Sequence, residues 1–270
     1  MKTIFLITAI LISTISFSQK KIDLKALETL PADLELKDVH QKYIITTDHF
    51  NGDIFGNFFN KFRVKGEYTR GLDHGKAKWN NVTVAMSMQQ DAEFTEGTPL
   101  NYMENYTYSP SDDMLKQEAF TDFKEHSAFA KNLVWDMMGI EVFAWTYWDK
   151  LKLNIPYEAK DINGEIDLAG QGSFENKNII ITWTGVSLRN GELCATIQYR
   201  TMDNPLEYEE MSMAMKGRSH YWGTIWVSLE DKQVEHANLF EDVVMEMQLS
   251  GQPGKQMMNT TRVISFNKKI

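Results

Sequence analysis

The stretch from Asp122 to Lys152 limits how this chain can fold, because it carries apolar side chains on two faces of one helix. Asp122-Phe-Lys-Glu125 has the form of a capping box, and no proline follows until Ile155-Pro156 supplies a stop. With 3.6 residues per turn, Phe129, Ala130, Leu133, Met137, Ile140, Ala144, Tyr147, Trp148 and Leu151 share one face. Val134, Trp135, Met138, Val142 and Trp145 occupy the other, leaving a narrow polar strip at Asn132, Asp136 and Lys150. A surface helix normally keeps a single apolar stripe, so this one is enclosed by a sheet or partly given to a partner. Enclosure is the expectation. Gly139 costs about 1 kcal/mol relative to alanine in a helix interior and marks a candidate break into two helices.

Strand patterns lie on both sides of this segment. Gln41–Thr47 is β-branched and aromatic, followed by a turn signal at Asn51-Gly52. Phe58–Tyr68, Lys76–Gln89 and the aromatic-rich Leu100–Tyr108 complete a first group, and Ser111-Asp-Asp begins the helical insertion. After Pro156 the clearest hairpin is Ile179–Thr184 against Leu193–Tyr199, with Arg189-Asn-Gly191 expected as a type I′ connection. Tyr221–Leu229 and Gln233–Leu249 form another pair, and Thr260–Phe266 closes the sheet. Acidic Glu207-Tyr-Glu-Glu210 reads as a solvated loop. The pattern predicts an α+β, β-rich fold: a curved, mostly antiparallel, half-barrel-like sheet of about 10 strands, packed around or covered by a helical segment at about 111–152.

The first residues read as a processing segment: Lys2, an apolar run from Ile4 to Ile15, and Ser16-Phe17-Ser18 as a small-x-small cleavage site. The expected arrangement is a signal peptide over 1–18 and one β-rich domain over 19–270, secreted or periplasmic. Gln19 follows the cleavage site, so no cysteine is placed there for a lipid anchor. No later run is long and uncharged enough to span a bilayer. A net charge of −9 disfavours nucleic acid and anionic membrane surfaces, which reward basic patches. Cys194 is the single cysteine, so no intramolecular disulfide forms; Leu193-Cys-Ala-Thr-Ile197 reads as a strand with a buried thiol.

The chain has 15 methionines, and many recur at a spacing of two: Met86 and Met88, then Met211, Met213 and Met215, then Met245 and Met247. On a strand that spacing puts each set on one face. Thioethers are flexible and polarizable, so the sets together would make an adaptable apolar concavity. Such a surface is filled by the helix carrying Met137, or it holds an acyl chain. Trp222, in the polar and aromatic run from Arg218, is expected at a pocket mouth, and Trp226 lies on the same strand.

The Tyr221–Met247 strand-turn-strand, with Trp226-Val-Ser-Leu-Glu-Asp-Lys232 at its turn, and the overall order of elements resemble LolA/LppX-like lipoprotein carriers. The resemblance covers about half of the chain and rests on no diagnostic motif. It implies a lipid or lipid-modified protein as partner. The residues by themselves indicate an apolar concavity, hence an exported, soluble, non-catalytic binding protein for an apolar or lipid-like ligand or a lipidated partner.

No HExxH, cysteine pair, phosphate loop or GxSxG elbow occurs, so no cofactor or metal is expected. Asp161-Ile-Asn-Gly-Glu-Ile-Asp167 has too few alternating oxygens for a calcium loop and reads as a turn. Two alternatives stand beside the binding reading. One is an extracytoplasmic hydrolase using carboxylates among aromatics, with Asp136, Glu141 and Glu104 as candidates. Asp136 and Glu141 are five positions apart, roughly 140° around a helix, and do not face one cleft. The other is a structural or docking module that uses part of the helix.

Overall fold

The computed structural model describes residues 29–37, 39–123, 128–210 and 212–269. The expected signal segment, the capping box at Lys124 and Glu125, and Met211 lie outside them. Strands β1 (Gln41–Asp53), β2 (Phe58–Leu72), β3 (Lys76–Ser87), β4 (Thr98–Pro99) and β5 (Tyr106–Tyr108) precede helix α1 (Ala128–Trp145). Strands β6 (Tyr157–Glu158), β7 (Gly164–Asp167), β8 (Gly172–Asn176), β9 (Ile180–Arg189) and β10 (Glu192–Glu210) follow it. Three long strands, β11 (Met213–Ser228), β12 (Val234–Leu249) and β13 (Gln256–Lys268), end the chain. They form a 13-stranded sheet in the order β4-β3-β2-β1-β13-β12-β11-β10-β8-β7, with β5 on β3, β9 on β10 and β6 on β9. Its ladders are antiparallel, as the hairpin-rich pattern predicts.

Local chemistry explains the strands. In β1, Tyr43, Ile45, Thr47 and His49 are buried while the residues between them are less so, the period of two that a one-sided core imposes. Asn190 and Gly191 adopt φ of 53° and 82°, which only a type I′ turn between β9 and β10 demands. Leu100–Tyr108 is broken: β4 and β5 are short, and Asn101–Met103 forms a 3-10 turn between them. The acidic run at 207–210 lies inside β10 rather than in a loop, because its alternate positions pair with β11, Glu207 opposite Lys216.

The sheet is strongly curved, and the helix shows why. Glu141 of α1 accepts a hydrogen bond from Tyr68 of β2 at 2.8 Å, while Phe143, two residues on, stacks on Tyr199 of β10 at 4.8 Å. Five inter-strand steps separate β2 from β10, roughly 24 Å if the sheet were flat. A helix with side chains is about 10–12 Å across, so both walls reach it only if the sheet wraps around it. Ala130, Leu133, Val134, Met137, Ile140 and Ala144 are essentially inaccessible, and no residue of α1 is fully exposed. Burying each of the larger ones contributes about 1.5–3 kcal/mol.

Three details of the helix differ from the sequence pattern. It continues through Gly139 without a break, since surrounding contacts override a penalty of about 1 kcal/mol. It stops at Trp145 rather than near Lys152, and Trp148–Lys150 makes a separate 3-10 turn in which the Trp148 indole donates to Pro31 O at 2.9 Å. Asp136, assigned to a wet strip, is sequestered against the sheet, and Asn132 is half-buried. Gly223 permits one close crossing: a Cβ there would lie 2.4 Å from the Tyr199 hydroxyl, which passes over β11 to donate to Asn238 O at 2.9 Å. No helix among the described residues is long and apolar enough to cross a membrane.

Candidate apolar binding site

Registers fix which side chains share the concave face. Tyr43, Tyr68, Phe266, Ala237 and Ile225 lie at the end where α1 fills the curve, and all are buried. Following the same alternation toward the other end of each strand brings Met213 and Met215 of β11, Met245 and Met247 of β12, and Met258 of β13 to that face. Met215 stands directly opposite Met247 and Met245 opposite Met258, spacings at which side chains touch. Met245 is buried, whereas Met213, Met215, Met247 and Met258 are only half-buried. Phe129 meets Phe62 and Asp136 meets Arg262, so the strands run past the described start of α1 for about two to four residues, or roughly 7–14 Å, giving a short trough with a thioether wall.

The facing wall differs. On β1, β2 and β13, Thr260 donates to Asn51 Oδ1 at 2.7 Å and the Asn51 amide donates to Asn60 Oδ1 at 2.7 Å, a polar strip on the same face. Phe62 and Met86, opposite each other on β2 and β3, continue the face outward, with Phe129 of α1 packed on Phe62 at 5.1 Å.

A charged floor closes the trough beneath α1. Arg262 of β13 donates to Asp136 of the helix and to Glu241 of β12, and Ser219 donates to Glu241 at 2.6 Å. Burial pushes the Asp136 carboxyl up to about 6, against the pull of Arg262. Burial and then the Arg262 charge hold His49 down at about 3, so its ring is neutral. Arg262 Nε is buried without a partner among the described residues. Two carboxylates around one guanidinium leave an acidic excess, which disfavours an anionic ligand group at this depth. The triad ties helix to sheet; breaking a buried pair typically costs 3–5 kcal/mol.

The named site residues separate into groups. Met213, Met215, Met245 and Met247 come together. Met86 lies on the same face across the trough, and Met88 falls just past the end of β3, so strand alternation does not place it. Met137 sits in the filled core. Trp222 and Trp226 point to the convex face, where Trp222 stacks with Phe240 at 6.1 Å and the Trp226 indole donates to Ser187. They have even numbers on a strand whose odd positions face inward, so they do not line the trough. Met258, Asn51, Asn60, Thr260 and Phe62 belong to the face and were missed. Their signal was only the pairing register, which needs the fold.

The carboxylates proposed for hydrolysis have other partners. Asp136 is held by Arg262, Glu141 by Tyr68 and Arg70, and Glu104 is an exposed acceptor for the Asn81 backbone N–H at 2.9 Å. Glu192, Asp231 and Glu235 cluster closely enough for a cation, but Lys268 pairs with Glu235 there and lies 3.8 Å from Glu192. A polar cleft of about 480 Å³ between Phe120 and Gly170 is lined by Gln117, Lys131 and Gln171, with Lys131 donating to the Gln171 side chain at 2.6 Å.

No protein-family model matches the chain, and no curated protein does. Among solved structures it is similar to lipovitellin, described for its lipid–protein interactions, at 11% identity and a TM-score of 0.43. That match covers 86% of this chain and 25% of the lipovitellin chain, so the protein spans about a quarter of that relative's length. A DUF1329 family protein from Desulfovibrio piger matches at 8% identity and a TM-score of 0.15, covering 86% and 88% of the two chains. Likenesses at these scores carry no ligand assignment.

Proposed function

We infer that this is a binding protein that holds an apolar or lipid-like ligand, or the acyl group of a lipidated partner, in the trough beyond α1. The observation that carries this reading is the pairing of Met215 with Met247 and Met245 with Met258 on the concave face near the start of α1, where Met213, Met215, Met247 and Met258 are half-buried. Thioethers adapt to a chain of variable shape. The polar strip of Asn51, Asn60 and Thr260 offers hydrogen bonds to an ester or hydroxyl group, which orients an amphipathic ligand. The acidic excess at the floor favours entry of the apolar end first. The proposal includes export: residues 1–18 are removed, and the mature protein begins at Gln19.

Native mass spectrometry of the purified protein, with a parallel titration by a fluorescent fatty acid, tests the reading. Co-purified lipid or saturable uptake, reduced about tenfold by Met215→Gln with Met247→Gln, is expected. A ligand-free mass together with no uptake rejects it. Amino-terminal sequencing of the protein from the extracytoplasmic fraction checks export, and an intact Met1 there refutes it.

A further inference from the structure

The open end of the trough carries an apolar lip that a binding site in free solution does not require. The β1–β2 turn is built around Asp53, whose Oδ1 accepts the backbone N–H groups of Phe55 and Asn57, each at 2.9 Å. Asp53 Oδ2 accepts the Asn57 side-chain amide at 2.6 Å, and Gly56 adopts φ of 87°. This fixed turn projects Ile54 and Phe55 outward, and Phe55 is 83% exposed. Met86 near the end of β3, Met88 just past it and Met257 at the start of β13 are exposed at the same end of the sheet, Met257 on its convex side. Of the thirteen exposed large apolar side chains among the described residues, these five gather around one hydrogen-bonded turn, a grouping that fits an interaction surface.

Charge and continuity select the occupant. The basic side chains near the lip are engaged: Lys61 donates to Gln90 O at 2.7 Å and Ala92 O at 2.6 Å, and Lys255 pairs with Glu246. Lys61 is buried and Lys255 is paired, so among the described residues these two present no free cation of the kind that anionic surfaces reward. On its inner side it runs directly into Phe62, Met258 and the methionine wall. We propose that the Ile54–Phe55 turn, with Met86, Met88 and Met257, docks the mouth of the trough onto an electrically neutral lipid surface, so that an acyl chain passes between surface and trough without crossing water. This deepens the ligand-binding reading and rests on it. The rigid aromatic tip inserts at the headgroup level, and the flexible thioethers cover the remaining gap.

Vesicle flotation tests the proposal, with phosphatidylcholine alone and with added phosphatidylglycerol. The full chain is expected to float with both, insensitive to salt, and Phe55→Ser with Ile54→Ser is expected to lower partitioning about tenfold or more. Fatty-acid uptake from solution by that variant is expected to stay unchanged, since neither residue lines the methionine wall. Failure to float, flotation only with the anionic lipid and lost in salt, or a variant that floats like the wild type overturns the proposal. So does a dimer in light scattering that Phe55→Ser dissolves, because the lip would then join two copies of the chain. Uptake without flotation defeats docking and leaves the binding reading standing, whereas flotation without uptake defeats the binding reading.

Discussion

The two ends of the concave face are built by the same strands with the same alternation, yet one is a core and the other a surface. At the end beneath α1, Tyr43 stacks on Phe266 at 4.2 Å and Met137 is fully buried. At the open end, Met213, Met215, Met247 and Met258 occupy equivalent inward positions and stay half-buried. Residue choice follows the difference. Aromatic rings together with Met137 fill the enclosed end, and flexible thioethers predominate on the inward positions near the start of α1. An inward-facing apolar residue therefore does not by itself distinguish core from site. What distinguishes them is whether another part of the chain reaches it.

The boundary between the two ends is the Asp136–Arg262–Glu241 triad, and breaking it should have the largest effect. Arg262→Ala leaves two buried carboxylates uncompensated and is expected to cost about 3–5 kcal/mol in urea unfolding. A loss under about 1 kcal/mol would mean that the triad does not hold helix to sheet.

Next comes a contrast of two truncations with the same chemistry. Met137→Ala removes a fully buried side chain and is expected to cost about 2–5 kcal/mol. Met215→Ala, on the open face, is expected to cost less than about 1 kcal/mol while weakening fatty-acid uptake. Equal losses at both positions would show that the open end is packed core, which would erase the distinction.

The smallest effects are on pH dependence. Asp136 is raised from 3.8 to about 6, so its contribution is fully present below pH 3.8 and is lost as pH rises through about 6. His49 is depressed from 6.5 to about 3, so its contribution is present above pH 6.5 and is lost as pH falls toward 3. The two oppose each other between about pH 4 and 6. Asp136→Asn should therefore steepen the loss of stability on acidification in that window, and His49→Gln should reverse the slope. Denaturant midpoints measured across that range check both; unchanged slopes in both variants would place the groups in ordinary solvent.

Much of the fold was legible in the sequence. Strand-like composition and spacing identified β1, β2, β3 and the long C-terminal strands, and Asn190-Gly191 identified its hairpin, because local sterics decide those features. Two apolar faces on the mid-chain segment implied an enclosed helix, and α1 is enclosed. The aromatic run Leu100–Tyr108 and the acidic run at 207–210 were misread, since propensity does not say which partner strand is available. Trp222 is expected at a pocket mouth and Trp226 among the binding residues, but position parity on β11 sends both to the convex face.

By itself, the sequence determined the alternation on each strand, the turns between them, the two-sided helix and the spacing of the methionines, all set by contacts within a few residues. Only the tertiary structure decided that Met215 meets Met247, that Met245 meets Met258, and that Asp136 is sealed against Arg262 rather than exposed to water. Those outcomes depend on the register between distant strands and on how far along the curved sheet the helix reaches. Neither is encoded in any one segment, because pairing energies are shared across the whole sheet.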